Sequence, residues 1–309
     1  MALPRVVLLF PGQGSAAVGM GRDIYEHSAA AKKIMDRARE AVGFDLVDLC
    51  FNGPADKLTQ TEFQQPCVLA VCLAVYEFLR SEKKIHVVAA VGHSLGEYTA
   101  LVASGALGLE DAVALTRKRG AYMQRAVPLG DGAMAALLGC DLQTAQNICH
   151  AVGEGVWIAN LNGGGQVVIS GKAKAVEEAR RISRQHGVRR SIALKVSAPF
   201  HCPLMAPAAE LLKEDLIGVP FGDFAFPVIT NVDGMANEDS NRVRDLLTRQ
   251  VTQRVLFSDC VLHATEMSPD AFIECGPDAT LTNMTKRITD RAPCFAVSDS
   301  ENIRALDLS

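Results

Sequence analysis

The chain has 309 residues, is 49% hydrophobic and 21% charged, and carries a formal net charge of -4; it is long enough to bury a large core, with room for a smaller inserted domain. That balance supplies no general field for nucleic acid or for an anionic membrane, so neither is expected as a partner. Nine cysteines without a CxxC pair fit a reducing compartment. The apolar run at residues 6–10 is too short for a signal-peptide core or a membrane span. A cytoplasmic protein is expected, or one of an organelle stroma or matrix after removal of a transit peptide.

In chain order, residues 6–10 form a continuous apolar run that reads as a buried strand, and Pro11-Gly12-Gln13-Gly14-Ser15 follows as a tight loop. Helical patterns are predicted over 24–42 and 68–79. A second buried strand, 87–91, runs directly into Gly92-His93-Ser94-Leu95-Gly96, and a helix opens at 97–103. Strands alternating with helices predict a parallel α/β sheet. From residue 133 the elements shorten: strand to 138, helix 142–151, strands 156–159 and 167–170, helix 173–186, strand 191–196. This β-α-β-β-α-β order predicts a ferredoxin-like small domain over 131–197, inserted between the two parts of a larger domain, 1–130 and 198–309. After Pro199 the pattern predicts helices 204–216, 242–249, 258–265 and 279–287, and strands 227–230 and 271–275.

The GxSxG segment at 92–96 lies between a strand and a helix, the context in which such a turn pushes its serine to the tip, with glycines where side chains would collide. Ser94 is therefore the candidate nucleophile. The N-terminus of the following helix, with the Leu95 N–H first, would favour an oxyanion. A serine needs a base, and the chain offers seven histidines. His27, His86, His150 and His186 lie at helices or strand ends, and His93 is expected to point away from the turn. His201, in the rigid segment Ser197-Ala198-Pro199-Phe200-His201-Cys202-Pro203 at the domain junction, is favoured over His263, which lies in a plain amphipathic helix. By pattern alone, Arg119 reads as a solvated helix residue among Arg117, Lys118 and Arg125.

Taken together, these motifs resemble one family, the malonyl-CoA:acyl carrier protein transacylases of fatty-acid and polyketide synthesis. The likeness rests on residues 10–15, Gly92-His93-Ser94-Leu95-Gly96-Glu97, Arg119-Gly120, Asn160-Leu161-Asn162, Gly165-Gln166-Val167-Val168, Pro199-Phe200-His201, Asn231-Val232-Asp233-Gly234 and Gln250. Ala16 departs from the family, which usually has glutamine there, and Gly163-Gly164-Gly165 replaces a proline-containing turn.

The resemblance implies an α/β-hydrolase-like large domain beside the small one. It implies malonyl-CoA and an acyl carrier protein as partners, an acyl-serine on Ser94, and His201 held by a backbone carbonyl near Gln250. Gln13 and Leu95 would form the oxyanion hole, Arg119 would bind the malonyl carboxylate, and Phe200 and Asn162 would line the acyl site. No metal or other cofactor is implied, and a monomer is expected. Because carrier proteins of this kind are acidic, Arg180, Arg181, Arg184, Arg189 and Arg190 form one candidate docking cluster and Lys286 with Arg287 another. A carrier-directed acyl hydrolase would keep Ser94 and His201 but have little use for Arg119; a silent scaffold would use the glycine turns as architecture alone.

Overall fold

The computed structural model describes residues 2–308. Among these, the strands are β1 (Arg5–Phe10), β2 (His86–Gly92), β3 (Gly132–Leu138), β4 (Val156–Gly163), β5 (Gln166–Lys172), β6 (Arg190–Ala193), β7 (Val228–Ile229), β8 (Ala236–Asn237), β9 (Ala271–Cys275) and β10 (Cys294–Val297). They form a six-stranded sheet in the order β10-β9-β1-β2-β7-β8 and a four-stranded sheet in the order β4-β5-β3-β6.

Along β1 successive side chains point to opposite faces, and both faces are covered. Val6, Leu8 and Phe10 join one core with the helix Thr61–Glu82, while Val7 and Leu9 join another with Ile229 and Phe257. Burial on both sides is why the strand reads as an unbroken apolar run. All neighbouring pairs in this sheet are parallel except β7 with β8. The parallel sheet expected from the sequence carries one antiparallel edge strand, the two-residue β8, which is too short to leave a periodic signal.

Pairing of Phe10 with Gly92 sets the ends of β1 and β2 side by side. Two loops distant in sequence, the one after Phe10 and the one after Gly92, therefore emerge together at the C-terminal edge of the central strands. Gly96 shows how closely they approach: a Cβ there would lie 1.9 Å from the Phe10 carbonyl oxygen. One at Gly92 would lie 1.9 Å from the Gly96 backbone, so both flanking positions of the turn require glycine.

The smaller sheet is antiparallel throughout. Its strand order, with helices Leu142–Val152 and Ala173–Ser183 on one face, is that of a ferredoxin-like unit. Gly163, Gly164 and Gly165 all have positive φ in the turn joining β4 to β5. Backbone bonds from Leu161 N–H to Val255 O and from Val255 N–H to Ala159 O, both 2.8 Å, stitch the small sheet to the large domain.

Several helices differ from their sequence patterns. The pattern over 24–42 is two helices, Arg22–His27 and Ala29–Val42, because Ser28 leaves helical geometry and caps the second with its side chain. The helix expected to begin at 68 begins at Thr61 and tolerates Pro66 inside it. Proline removes one backbone donor there, and burial of nearly the whole helix offsets the loss. The last predicted helix is shorter, Thr280–Thr285, and β10 was not legible as a four-residue run after Pro293.

Candidate active site

Ser94 stands between β2 and the helix Leu95–Ala103 with φ 53° and ψ -105°, a conformation non-glycine residues rarely adopt. Its N–H donates to Asn231 Oδ1 at 2.7 Å, which pins the turn from outside. His201 also has positive φ, 57°. Strained backbone at both residues is maintained by surroundings that over-determine it.

Ser94 Oγ and His201 Nε2 are 2.8 Å apart. On the other side of the ring, Nδ1 lies 2.8 Å from the Gln250 carbonyl oxygen. A carbonyl can only accept, so Nδ1 carries the proton and Nε2 presents a lone pair to the serine hydroxyl. The orienting group is thus Gln250's own main chain. Burial, reinforced by the nearby Arg119 charge, lowers the imidazole to about 3.

That shift has a testable sign. The unfolded chain binds the histidine proton near the ordinary value of 6.5, whereas the native site refuses it until about 3. Acid therefore favours the unfolded state across that window, and stability rises with pH there. Glu97 titrates in the opposite sense, but it is common to wild type and variant. Thermal melts of His201→Asn should accordingly lose less Tm than wild type as pH falls through that window. Parallel pH slopes for the two proteins would exclude His201 as the source.

The helix Leu109–Arg125 carries Arg119, which is 1% exposed. Its Nη1 donates to Gln65 Oε1 at 2.7 Å, and its Nη2 to Ser94 Oγ and to Gln250 Oε1, both at 3.0 Å. Every one of these partners is neutral, and Nε has none among the described residues. The guanidinium also lies 5.4 Å from the centre of the Tyr98 ring. This corrects the reading by pattern as a solvated residue. Gly120 next to it allows the close approach, since a Cβ there would meet the Thr61 carbonyl at 2.3 Å.

Beneath the dyad lies a buried polar network. One Glu97 oxygen, Oε2, accepts from the Asn231 N–H at 2.9 Å and from Gln250 Nε2 at 2.8 Å. Gln250 Nε2 also reaches Ser94 O at 3.0 Å, and Asn231 Nδ2 donates to Gly92 O at 2.6 Å. Burial pushes the Glu97 carboxyl up to about 7, against the lowering effect of its bonds from Asn231 and Gln250 and of the Arg119 charge. Glu97 and Asn231 stood in the sequence only as parts of motifs, and Gln65 was not singled out.

A cavity of about 470 Å³ opens over Ser94 and is lined from both domains, by Gln13, Arg119, Met123, Met134, Asn162, Val168, Phe200 and His201 among others. Gln13 and Leu95 are the first residues of their helices, so their N–H groups have no intrahelical acceptor. Gln13 Oε1 is held by Gln65 Nε2 at 3.2 Å. Phe200 is 6% exposed. His93 Nε2 lies 3.0 Å from Asn162 Oδ1, a bond that engages the amide oxygen and not its NH2. The His93 ring pairs with Asn162 and not with Ser94 or His201, and it borders the same cavity.

His263 is elsewhere, beside Glu266 on the helix Phe257–Glu266. Among the basic clusters, Arg180 and Arg181 pair with Glu177 and Glu178 on their own helix. Lys286 and Arg287 instead follow the helix Thr280–Thr285, whose Thr280, Leu281 and Met284 line the cavity. No helix among the described residues is long and apolar enough to cross a membrane.

A serine at a strand-to-helix turn, hydrogen-bonded to a histidine of fixed tautomer at the floor of a two-domain cleft, defines the class of enzymes that pass acyl groups through a serine ester. The model of the acyl transferase domain matches residues 7–303. The malonyl CoA-acyl carrier protein transacylase of Bacillus subtilis is 42% identical over 304 residues, covering 97% of this chain and 96% of that one. The crystal structure of an acyl-carrier-protein-S-malonyltransferase from Bartonella henselae superposes with a TM-score of 0.93 at 40% identity, covering 97% of each chain. A malonyl-transacylase in complex with a type II PKS acyl-carrier protein superposes at 0.94, with 36% identity over 97% of each chain. The chain belongs to the malonyl-CoA:acyl carrier protein transacylase family.

Proposed function

We propose that this protein moves a malonyl group from malonyl-CoA to the pantetheine thiol of an acyl carrier protein through a malonyl ester of Ser94. His201 Nε2 takes the Ser94 proton as Oγ attacks the thioester carbonyl. The tetrahedral oxyanion is met by the free N–H groups of Gln13 and Leu95. Collapse expels coenzyme A, whose sulfur regains the proton from His201. The carrier thiol then attacks the ester by the same steps in reverse, its proton passing through His201 to Ser94. Thioester is exchanged for thioester, so no net driving force beyond substrate supply is required.

The observation that carries the substrate assignment is Arg119: a buried guanidinium beside Ser94 Oγ with neutral partners and an unpartnered Nε. A carboxylate two carbons from the attacked carbonyl supplies the missing anion. A neutral acyl group leaves that charge uncompensated, and a hydrolase of simple acyl groups has no use for it. The Phe200 ring, packed against the cavity, leaves little room for a 2-methyl branch. Nine free cysteines favour a reducing compartment such as the cytoplasm or an organelle stroma or matrix.

The test is to incubate the protein with radiolabelled malonyl-CoA, or with labelled acetyl-CoA, and then to add holo carrier protein. Malonyl label should appear on the protein and discharge to the carrier. Label recovered only as free malonate would instead establish hydrolysis.

A further inference from the structure

The dyad and the arginine account for the chemistry, but not for the carboxyl group buried behind them. Glu97 is 1% exposed, lies on the core side of the nucleophile turn and touches neither Ser94 Oγ nor His201. Burying a carboxyl group is costly, and its two donors are well chosen. The Asn231 N–H belongs to the residue whose Oδ1 holds the Ser94 N–H. Gln250 Nε2 belongs to the residue whose Oε1 holds Arg119 and whose carbonyl oxygen holds His201.

We propose that Glu97 is a positioning residue for acyl selection: by accepting from Asn231 and Gln250 at one oxygen, it fixes the Gln250 amide so that Oε1 faces Arg119. Gln250 Nε2 has three acceptors in reach, Glu97 Oε2 at 2.8 Å, Ser94 O at 3.0 Å and Asn231 Oδ1 at 3.3 Å. Glu97 is the nearest of them and the one able to carry charge. With that acceptor withdrawn, the amide loses its strongest tether and can turn its NH2 towards the guanidinium, donor against donor. The Asn231 N–H, fully buried, is orphaned at the same time. Arg119 then loses its alignment with the acyl carboxylate, and the Ser94 turn loses a support. The required feature is the position of an acceptor, which glutamine also provides at that distance and aspartate, one methylene shorter, does not.

This inference rests on the proposed role of Arg119. The test measures kcat and KM for malonyl-CoA and acetyl-CoA in wild type, Glu97→Asp, Glu97→Gln, Gln250→Ala and the Glu97→Asp/Gln250→Ala double variant. Glu97→Asp should lower the malonyl-over-acetyl ratio of kcat/KM by about tenfold, the size of one ordinary buried hydrogen bond. Glu97→Gln should stay within about threefold of wild type, since it keeps the acceptor. The two losses in the double variant should be non-additive in that ratio, because Glu97 acts through Gln250.

An unchanged ratio in Glu97→Asp, additive losses, or a Glu97→Gln as impaired as Glu97→Asp would each overturn the proposal. The Glu97→Gln result alone can do so if Glu97→Asp does not fold. If wild type itself does not discriminate malonyl from acetyl, the role of Arg119 fails instead, and the two failures are thereby distinguished.

Discussion

Ser94→Ala is expected to abolish acyl transfer, with a loss of about 10³- to 10⁶-fold, the range seen when the nucleophile of a serine enzyme is removed. The hydroxyl oxygen is the atom that would carry the acyl group, and the hydrogen bonds around it have no substitute: Oγ–H donates to His201 Nε2 at 2.8 Å and Oγ accepts from Arg119 Nη2 at 3.0 Å. Intact-protein mass spectrometry after exposure to malonyl-CoA should show an adduct in wild type and none in the variant. An adduct surviving in Ser94→Ala would move the nucleophile to another residue. Ser94→Gly should be as inactive yet no less stable. A φ of 53° costs a side-chain-bearing residue about 1–3 kcal/mol, which glycine avoids and which offsets its greater unfolded-state entropy. A melting temperature lower than that of Ser94→Ala would contradict the assigned strain.

Arg119→Ala is expected to convert a selective site into an indifferent one. The malonyl carboxylate would lose a bidentate pair, at about 1.5–3 kcal/mol per charge-assisted hydrogen bond, so malonyl kcat/KM should fall by about 10²- to 10⁴-fold. Transfer from acetyl-CoA should fall far less. In wild type a neutral acyl group forms no ion pair with the guanidinium, so the variant removes little that the acetyl donor uses. The measurement is the ratio of kcat/KM for the two donors; equal losses for both would show that Arg119 supports the dyad without reading the acyl group. The charge also reaches His201, whose basicity it lowers along with burial. A bound carboxylate facing Arg119 would relieve part of that effect, so the substrate that pairs with the arginine also restores strength to the base.

The nucleophile was legible because its signal is local. A run of apolar residues ending at Gly92, a serine between glycines and a helix beginning at once occupy a few consecutive positions, and the collisions that demand Gly92 and Gly96 occur within that turn and against the adjacent strand end. His201 was legible for a related reason, lying in a proline-framed segment where the chain crosses between domains. The order of short strands and helices likewise carried the small domain. Boundaries were harder: Ser28 split one predicted helix by a side-chain cap, and Pro66 did not stop another, because capping and burial outweighed periodicity.

Ser94 and His201 as separate candidates, the alternation of elements and the glycine turns were determined by the sequence itself, since each depends on neighbours a few residues apart. Only the tertiary structure decided that Ser94 meets His201, that Arg119 is buried among neutral hydrogen-bond partners, that Gln250 serves with both its main chain and its side chain, and that Glu97 lies beneath them. Glu97 meets donors 134 and 153 residues away. Whether a polar side chain is solvated or enclosed depends on which distant segments pack over it. Helical periodicity records the face a residue occupies, and the partners that cover that face are set by the sheet order that brings the ends of β1, β2 and β7 together.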